Sequence, residues 1–414
     1  MSTPTVGVEG LNAYAGVARI STRAMFTERG LNTDRFANLQ MEQRSVQLPW
    51  EDPVTNAVNA ALPLVAALSD DERGRIELLV TSTESGLDYS KSVASYVHEF
   101  LGLPRTCRVL EVKQACYGAT GAVQLAVGHL ASGISPGAKA LVIATDVNPM
   151  DEHAGYAEPT TGHGAVAVLV SDRPRLLALD VGAYGINSFE TMDTARPRPD
   201  FDLYHADRSL LTYLECLSDS YRAYLRRVPG TRLVESFDHI VMHTPFAGMV
   251  RAGHRKLMRE FAPRPPAEIE ADFVRRVAPS LRYTQQVGNL CSGSVWLGLA
   301  SLIDNAPAST GDARVALYSY GSGCASEFFS GRLVPGAAGW SGRLDIAGRL
   351  ALRRELTFKE YEGLLPASRQ CLVPKADHTV DLAGHEEYLE PFRAAGPMLV
   401  LESVANYRRR YGWR

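Results

Sequence analysis

Short runs of consecutive apolar residues alternate along the chain with stretches in which apolar residues recur every three or four positions. The continuous runs predict buried strands, and they cover residues 76–80, 140–144, 165–170, 240–242 and 315–318. The periodic stretches predict helices, and they cover residues 90–101, 121–131, 210–227 and 250–261. This alternation indicates an α/β layered fold in which a sheet lies between helices.

Two segments of the chain have the same layout. VKQACYG at residues 112–118 and GNLCSG at residues 288–293 are both followed by an apolar helical stretch, and each carries a cysteine and a glycine near the helix start. The echo suggests two homologous halves, residues 1–172 and 173–414, that meet at a shared site. The charged segment 196–207 and the proline-rich segment 262–267 are predicted to be loops or insertions. No linker is long enough to separate independent domains, so we expect a single unit.

Composition narrows the functional class. The 414 residues are 45% hydrophobic and 21% charged, which is typical of a folded chain with a large core. A formal net charge of −3 gives no global basic field, which argues against a nucleic-acid binder. The sequence shows neither a signal peptide nor an apolar run of the roughly 18–20 residues that span a bilayer. Six scattered cysteines lack metal-type spacing, so we expect reduced thiols, no bound metal and a cytoplasmic location.

Three residues stand at the ends of predicted strands or at the start of a helix, where chemistry is expected. Cys116 opens an apolar helix, whose positive end and N–H groups stabilise a thiolate; the alternative is a buried structural cysteine. Glu84 follows the first predicted strand and stands among hydroxyl groups and glycine, a setting that suits a general base for proton transfer; the alternative is a solvated loop residue. His243 ends another strand before a proline turn and is placed to project into a cleft, unless it is satisfied within its loop.

These residues lie in five ordered segments that together point to a family. The segments are TSTESG with Glu84, ACYGAT with Cys116, HTPF with His243, GNLCSGS with Asn289 and YGSG with Ser322. They closely resemble the signature segments of 3-hydroxy-3-methylglutaryl-CoA synthases, which are thiolase-fold condensing enzymes. Residues 158–165 and 398–410 extend the resemblance, so it covers nearly the whole chain.

The resemblance implies a duplicated five-layer α/β/α/β/α fold, a homodimer, and substrates carried on phosphopantetheine with no resident cofactor. It also implies a role for each principal residue. Cys116 accepts an acetyl group as a thioester, and Glu84 removes a methyl proton to give an enolate that attacks a β-ketone. His243 binds or protonates the ketone oxygen, and water then frees Cys116. The Cys-His-Asn part is shared with β-ketoacyl synthases, whereas the glutamate of TSTESG distinguishes the synthases.

The remaining site residues are expected to supply polar surroundings. The enolate oxygen needs N–H donors, which the loops of Cys116 and Ser322 can offer. Asn289 is expected to orient a carbonyl group or the active-site histidine. Asp146 and Asp193 match acidic positions that shape the family's pocket, and a purely structural role suits them equally well.

One segment departs from the family pattern. Synthases of primary mevalonate metabolism carry lysines shortly after the His-Pro-Phe/Tyr segment, and those lysines contact coenzyme A. Here Gly248 and Ala252 stand at the expected lysine positions. The loss of two cationic contacts weakens the hold on a nucleotide's phosphates, which argues for a donor without adenosine, such as an acetyl group on an acyl carrier protein.

The helix that follows offers a candidate docking surface. Arg251, Arg255 and Arg259 recur every fourth residue and share one face, with His254 and Lys256 alongside. Acyl carrier proteins are acidic, so such a face attracts one electrostatically, although the alternative is an ordinary solvated face. A second candidate surface consists of three arginines near the N-terminus: Arg19, Arg23 and Arg29.

Three functional hypotheses follow. The leading one is a β-branching synthase of a polyketide pathway, which works with a donor and an acceptor carrier protein and with neither nucleic acid nor membrane. The second is a mevalonate-pathway synthase that uses acetyl-CoA and acetoacetyl-CoA, which the missing lysines disfavour. The third is a non-catalytic dimeric scaffold that binds carrier proteins, which the intact Glu84, Cys116 and His243 disfavour.

Overall fold

The computed structural model describes residues 5–148, 154–306 and 311–414. Its strands, in chain order, are β1 (Gly7–Tyr14), β2 (Ala18–Ser21), β3 (Gln43–Val46), β4 (Ile76–Ser82), β5 (Arg108–Val112), β6 (Lys139–Asp146), β7 (Gly164–Ser171), β8 (Leu177–Ser188), β9 (Thr194–Arg198), β10 (Phe201–Tyr204), β11 (His239–Met242), β12 (Arg314–Gly321), β13 (Ala325–Leu333), β14 (Arg354–Glu355), β15 (His378–Thr379), β16 (Leu399–Ala405) and β17 (Arg408–Trp413).

The helices of the same residues, again in chain order, are α1 (Thr22–Glu28), α2 (Phe36–Leu39), α3 (Pro53–Ala66), α4 (Asp70–Gly74), α5 (Val93–Phe100), α6 (Gly118–Ala131), α7 (Ala206–Arg227), α8 (Ala247–Phe261), α9 (Pro266–Arg276), α10 (Arg282–Val287), α11 (Ser294–Asn305), α12 (Ala337–Ser341), α13 (Ile346–Ala351), α14 (Phe358–Gln370) and α15 (His385–Leu389). None of these helices combines the length and the apolar character needed to cross a bilayer.

The main sheet is built from two half-sheets of the same order. Across the described residues its strands run β11-β12-β13-β8-β1-β7-β6-β4-β5. The halves join at a short antiparallel contact, in which Gly7 and Val8 of β1 pair with Ala178 and Leu177 of β8. Outward from that contact, β1-β7-β6-β4 and β8-β13-β12-β11 repeat the same sequence of antiparallel, antiparallel and parallel neighbours. The chain therefore repeats one topological unit, and the division at residues 172/173 stays a prediction.

Alternation along the strands explains the layers of the N-terminal half. On β6, Ala140, Val142 and Ala144 belong to a core that also holds the buried faces of α6 and α11. Leu141 and Ile143 point the other way, into a core formed with α3. Because successive side chains of a strand point to opposite faces, each half-sheet needs an apolar cover on both sides.

The C-terminal half follows the same rule. Val241 of β11 and Leu317 of β12 face the shared core with α6 and α11. Ile240, Met242 and Tyr318 face a separate core built with α7, α8 and α9. The order is therefore helix, half-sheet, central helices, half-sheet, helix, which confirms the predicted thiolase-like α/β fold. In the central layer, α11 is buried along almost its whole length, as its nearly continuous apolar sequence requires.

Most of the predicted elements are confirmed, with shifted ends, and one prediction is wrong. Residues 196–207 do not form a loop: β9 and β10 pair as a hairpin, and α7 begins at Ala206. Pro197 and Pro199 concealed this short strand pair, because proline in a sequence usually argues against a strand. Here the prolines are tolerated, since a strand accepts proline where no ladder N–H is needed. The proline-rich segment after α8 is a turn that leads into α9, which begins at Pro266.

Two of the segments that resemble the family connect distant parts of the chain. Glu158 is buried and accepts hydrogen bonds from Arg29 at 3.0 Å and from the Tyr361 hydroxyl at 2.8 Å, so it joins α1 to α14. Arg409, in the C-terminal stretch, forms a 3.0 Å salt bridge with the buried Asp52 at the start of α3. These segments therefore support the fold around the site.

Candidate active site

Cys116 lies in a tight turn between β5 and α6. Ala115, the residue before it, adopts a left-handed backbone with φ of 43°, a conformation that non-glycine residues rarely take. The helix begins at Gly118, where an added Cβ would lie 2.4 Å from the Ser82 hydroxyl oxygen. Glycine thus lets the turn approach β4 closely, and the approach brings Cys116 beside the residues that follow that strand.

Glu84 is the first partner of this cysteine. The Cys116 thiol donates a hydrogen bond to Glu84 Oε1, with 3.2 Å between Sγ and the oxygen. The Glu84 loop is fixed by Asp146 at the end of β6, whose Oδ1 accepts from the Thr83 hydroxyl at 3.0 Å, the Glu84 N–H at 2.7 Å and the Ser85 hydroxyl at 3.0 Å. The carboxylate of Glu84 is therefore held against the sulfur by a buried hydrogen-bond network.

A second thiol, that of Cys291, lies at the same place. Cys116 Sγ, Cys291 Sγ and a Glu84 carboxylate oxygen all lie within 4.8 Å of one another. The contact with Cys291 lowers the pKa of the Cys116 thiol, but burial and the negative charge of Glu84 outweigh it and raise that pKa to about 12. Cys116 is therefore a protonated thiol at rest, so the expectation of a thiolate stabilised by the helix start was wrong. Its acylation requires a base, which Glu84 is placed to be.

His243 follows β11, the strand that the repeat matches with β4. Its ring is buried and lies beside the rings of Tyr213 and Tyr320, with 6.4 Å between centroids in each case. Burial lowers the pKa of His243 to about 3, so the imidazole is neutral at physiological pH and can donate one N–H. Its main chain is fixed by the Tyr318 carbonyl, which accepts from the His243 N–H at 2.7 Å.

The end of β12 connects His243 to the cysteine turn. Tyr320 packs beside the histidine ring, and the next residue, Gly321, contacts the turn of Cys116: an added Cβ there would lie 2.5 Å from the Gln114 carbonyl oxygen and 2.5 Å from the Tyr117 nitrogen. Ser322 follows and is partly exposed. The end of β12 therefore lies between the His243 ring and the turn of Cys116 and contacts both.

Asn289 and Asp193 have clear structural tasks in this arrangement. Asn289 Oδ1 accepts from the Cys291 N–H at 3.0 Å and from the Ser294 hydroxyl at 2.7 Å, which leaves the amide nitrogen as the group available to a substrate carbonyl. Asp193 is fully buried and accepts from the Tyr320 hydroxyl at 2.6 Å and the Gly323 N–H at 2.9 Å. Asp193, like the buried Asp146, therefore holds a loop and does not face the cleft.

Arg196 is a site residue that the sequence analysis missed, because it lies in the segment interpreted as a loop. From β9 its guanidinium donates to the Glu84 carbonyl oxygen at 3.1 Å and to the Asp202 carboxylate at 2.6 Å and 3.0 Å. The neighbouring acidic groups outweigh its burial and raise its pKa above the usual arginine value, so it is a permanent cation beside Glu84. In the sequence, only the position of Arg196, three residues after the candidate Asp193, could have indicated this role.

A cleft of about 940 Å³ opens beside Glu84. Its walls come from the loop after β4, the β9–β10 hairpin and residues 366–375. Several basic side chains line it: Lys113, Arg198, Lys375, His378 and Arg409. The cleft is large enough for an extended organic ligand. Glu84, Asp88 and Glu111 also line it, so its walls carry charges of both signs.

The predicted docking face on α8 is smaller than its sequence suggested. Arg251 forms a salt bridge with Glu270. His254 is fully buried and lies 2.8 Å from Asp272, so its placement on the exposed face was wrong. Arg255 and Arg259 are exposed, and neither forms a salt bridge in the described parts of the chain.

Much of the second candidate surface is also engaged within the protein. Arg29 pairs with Glu158 and Glu362, and Arg19 lies 3.6 Å from Glu355. Arg23 is exposed and stacks over a phenylalanine ring of α2. These contacts leave little free positive charge at the N-terminus.

The structure also accounts for Gly248, one of the positions where a lysine was expected. A Cβ at this position would lie 1.7 Å from the carbonyl oxygen of Asn38, which lies in the last turn of α2. No side chain larger than hydrogen fits there unless α2 moves. At the position where the resemblance implies a lysine, the chain therefore has a close contact between α2 and α8.

Two half-sheets of equal order, with a thiol, a carboxylate and an imidazole gathered near them, are the arrangement of thiolase-like condensing enzymes. The family models for the N-terminal and C-terminal parts of hydroxymethylglutaryl-coenzyme A synthase match residues 54–174 and 266–412. The chain belongs to the 3-hydroxy-3-methylglutaryl synthase family, which confirms the resemblance drawn from its motifs.

Individual relatives are similar over the whole chain. The polyketide biosynthesis 3-hydroxy-3-methylglutaryl-ACP synthase PksG of Bacillus subtilis is 42% identical and aligns over 99% of each chain. The hydroxymethylglutaryl-CoA synthase of Enterococcus faecalis is 34% identical over 87% of this chain and 91% of its own. The HMG synthase of the curacin biosynthetic pathway, solved with an acetyl donor-ACP, is 45% identical with a TM-score of 0.95, over 99% of this chain and 100% of that one.

Proposed function

We propose that this protein is an HMG-synthase-type condensing enzyme of polyketide β-branching. It takes an acetyl group from an acyl carrier protein and adds it to the β-ketone of a carrier-bound polyketide intermediate. The observation that carries the proposal is the 3.2 Å contact between Cys116 Sγ and Glu84 Oε1, because the reaction needs a nucleophile that holds the acetyl group and a base within reach of its methyl carbon.

The steps follow from the positions of these groups. Glu84 accepts the thiol proton as the Cys116 sulfur attacks the acetyl carbonyl, and the carrier leaves with its thiol restored. After that proton has passed to solvent, Glu84 removes one from the methyl group of the bound thioester. The resulting enolate attacks the acceptor ketone, whose oxygen receives a hydrogen bond from neutral His243 and then takes up a proton from solvent to become a hydroxyl, while Glu84 returns its proton to solvent. Water then hydrolyses the Cys116 thioester and leaves a carboxymethyl branch.

The remaining site residues act on the geometry of these steps. The Asn289 amide nitrogen is available to a substrate carbonyl, and the turn of Cys116 and the loop of Ser322 can direct N–H groups at the developing oxyanion. Asp146 and Asp193 position the Glu84 loop and the Ser322 loop respectively. The chemistry calls for no resident cofactor, because phosphopantetheine arrives with each substrate.

The contact at Gly248 supports a carrier-borne donor. A lysine at this position is blocked by the Asn38 carbonyl, so one of the expected contacts to a nucleotide phosphate cannot form. Arg255 and Arg259 remain exposed for an acidic carrier. One relative, the curacin-pathway synthase, has been solved with its donor carrier protein, and the name of PksG specifies an ACP-linked product; both support this choice.

The second candidate function is a mevalonate-pathway synthase, favoured by the 34% identity to the Enterococcus faecalis enzyme. The catalytic residues suit it equally, so only the donor separates the two functions. A non-catalytic scaffold, the third hypothesis, has no need of the Cys116–Glu84 contact or of the network that holds it.

A homodimer is part of the proposal, together with a cytoplasmic location. Strand β5 is the outer strand of its half-sheet, and its Val109 and Leu110 side chains are exposed. An edge strand with exposed apolar side chains is a natural surface for pairing with a second copy. The unpaired cysteines of the described residues suit the cytoplasm, where thiols stay reduced.

The test is paired kinetics with acetyl-carrier protein and acetyl-CoA, with the protein mass recorded. We expect a gain of one acetyl group on Cys116, lost in Cys116→Ser, and a much higher kcat/KM for the carrier. Equal efficiency with both donors would favour the mevalonate reading. A label on Cys291, or no acetylation with either donor, would refute the assignment of Cys116.

A further inference from the structure

Three side chains of types that commonly serve as metal ligands lie together at the reaction centre. Cys116 Sγ, Cys291 Sγ and a Glu84 carboxylate oxygen lie within 4.8 Å of one another, and the Cys116–Glu84 pair is at 3.2 Å. A tetrahedral zinc ion, with Zn–S of about 2.3 Å and Zn–O of about 2.0–2.2 Å, holds neighbouring ligand atoms about 3.3–3.8 Å apart. Small side-chain movements therefore suffice to place all three atoms around one ion.

Cys291 is the member of this group that the condensation does not use. Its backbone is left-handed, with φ of 48°, and its N–H donates to Asn289 Oδ1 at 3.0 Å. Its thiol donates to Asn148 Oδ1 at 3.4 Å, so the sulfur is held by a defined partner on one side. The constrained backbone and the fixed thiol keep the Cys291 sulfur next to Cys116. None of the proposed reaction steps requires a second thiol at that position.

The local charge also suits a metal complex. Two thiolates, one carboxylate and a divalent ion leave one net negative charge. The Arg196 guanidinium, which contacts the Glu84 backbone at 3.1 Å, lies close enough to interact electrostatically with both Glu84 and Cys291. This permanent cation also pairs with Asp202, and it offsets part of the negative charge of the partly buried site.

We propose that Glu84, Cys116 and Cys291 form an inhibitory site for a thiophilic divalent cation, of which Zn²⁺ is the representative. The ion displaces one proton from each thiol, binds the two sulfurs and one carboxylate oxygen, and keeps a water as its fourth ligand. Inhibition rests on the proposed function, because it follows from the engagement of Cys116 and Glu84 by the ion. Acetylation and metal binding exclude each other, since both use the same sulfur.

The direct test is titration of the metal-free, full-length protein with Co²⁺, a spectroscopic substitute for Zn²⁺. We expect one equivalent to produce a thiolate-to-cobalt charge-transfer band, and one equivalent of Zn²⁺ to abolish it. Protein acetylated beforehand on Cys116 should give no such band. Zn²⁺ at the same concentrations should block acetylation, and a chelator should restore it.

Variants locate the ion. Cys291→Ser should weaken Co²⁺ binding by on the order of 10²-fold or more, because it removes one of three protein ligands, and should reduce the band of the residual complex. The matched control is Cys216→Ser, from the other close pair of thiols, in which Cys216 and Cys324 have sulfurs 3.6 Å apart. This control should leave both the affinity and the band unchanged.

Two results would overturn the proposal: Co²⁺ binding without a thiolate band, or a band that survives in Cys291→Ser and in the acetylated protein. The binding readout needs no turnover, so the two proposals fail separately. Metal-free protein that acetylates normally but gives no cobalt band refutes the metal site alone. A cobalt band that depends on Cys291, in a protein that no acetyl donor modifies, refutes the proposed function alone.

Discussion

The close contact between Gly321 and the cysteine turn gives a quantitative prediction. In Gly321→Ala, the new methyl group would lie 2.5 Å from both the Gln114 carbonyl oxygen and the Tyr117 nitrogen. Those are backbone atoms, so no rotamer change relieves the clash. Restoring contacts of 3.0–3.4 Å requires the turn of Cys116 to move by about 0.5–0.9 Å. Because a displacement near 1 Å can cost about 10²-fold in rate, we expect kcat/KM for acetylation to fall on the order of 10²-fold.

The assay is quenched-flow acetylation followed by mass spectrometry, with thermal unfolding measured in parallel. Overpacking of this kind should also cost about 1–3 kcal/mol of stability. The matched control is Gly128→Ala in α6, where an added Cβ meets no atom within 4 Å. This control should acetylate normally and be more stable by up to about 1 kcal/mol, because alanine is the better helix former. An acetylation rate for Gly321→Ala within twofold of the unmodified protein would show that the contact does not position Cys116.

Further predictions concern the base, the docking face and the histidine. Glu84→Gln should lower the condensation rate on the order of 10²–10⁴-fold in single-turnover assays, and a near-normal rate would remove Glu84 as the base. Arg255→Glu or Arg259→Glu should raise the carrier's KM with little change in acetylation kcat, an effect that shrinks at high salt; kinetics indifferent to charge and salt would move docking elsewhere. Because the folded-state pKa of His243 is lowered to about 3, its contribution to stability is present above pH 6.5 and is lost as pH falls from 6.5 toward 3. His243→Gln should therefore flatten the fall in unfolding free energy over that range by up to about 1.4 kcal/mol per pH unit, and an unchanged slope would contradict a neutral buried imidazole.

Local pattern was sufficient to predict the frame of the fold, and it selected the three principal candidate residues, whose roles stay predictions. Strands such as β6 and β7 are buried on both faces, so they appear in the sequence as uninterrupted apolar runs. Glu84, Cys116 and His243 stand at strand ends or a helix start, where chain direction alone brings them to one edge of the layers. Their motifs then supplied the family, which the comparisons confirm.

Contacts between distant segments could not be predicted from local sequence patterns. Arg251 has the spacing of an exposed stripe, yet a glutamate nineteen residues later binds it. His254 lies one helical step from that stripe and is fully buried against Asp272. The approach of Cys291 to Cys116 depends on how two halves of the chain pack, and no local spacing encodes that distance.

The repeat of the half-sheets places a local twofold axis in the reaction centre. Cys116 and Cys291 lie in the turns that precede the matching helices α6 and α11, and matching atoms can be as close as theirs only near the axis that relates them. Glu84 and His243 follow the matching strands β4 and β11, so they occupy corresponding positions in the two halves. Each half of the chain therefore contributes different chemical groups to the same site. A change of acceptor or donor preference in one half would also alter a surface that the other half shapes.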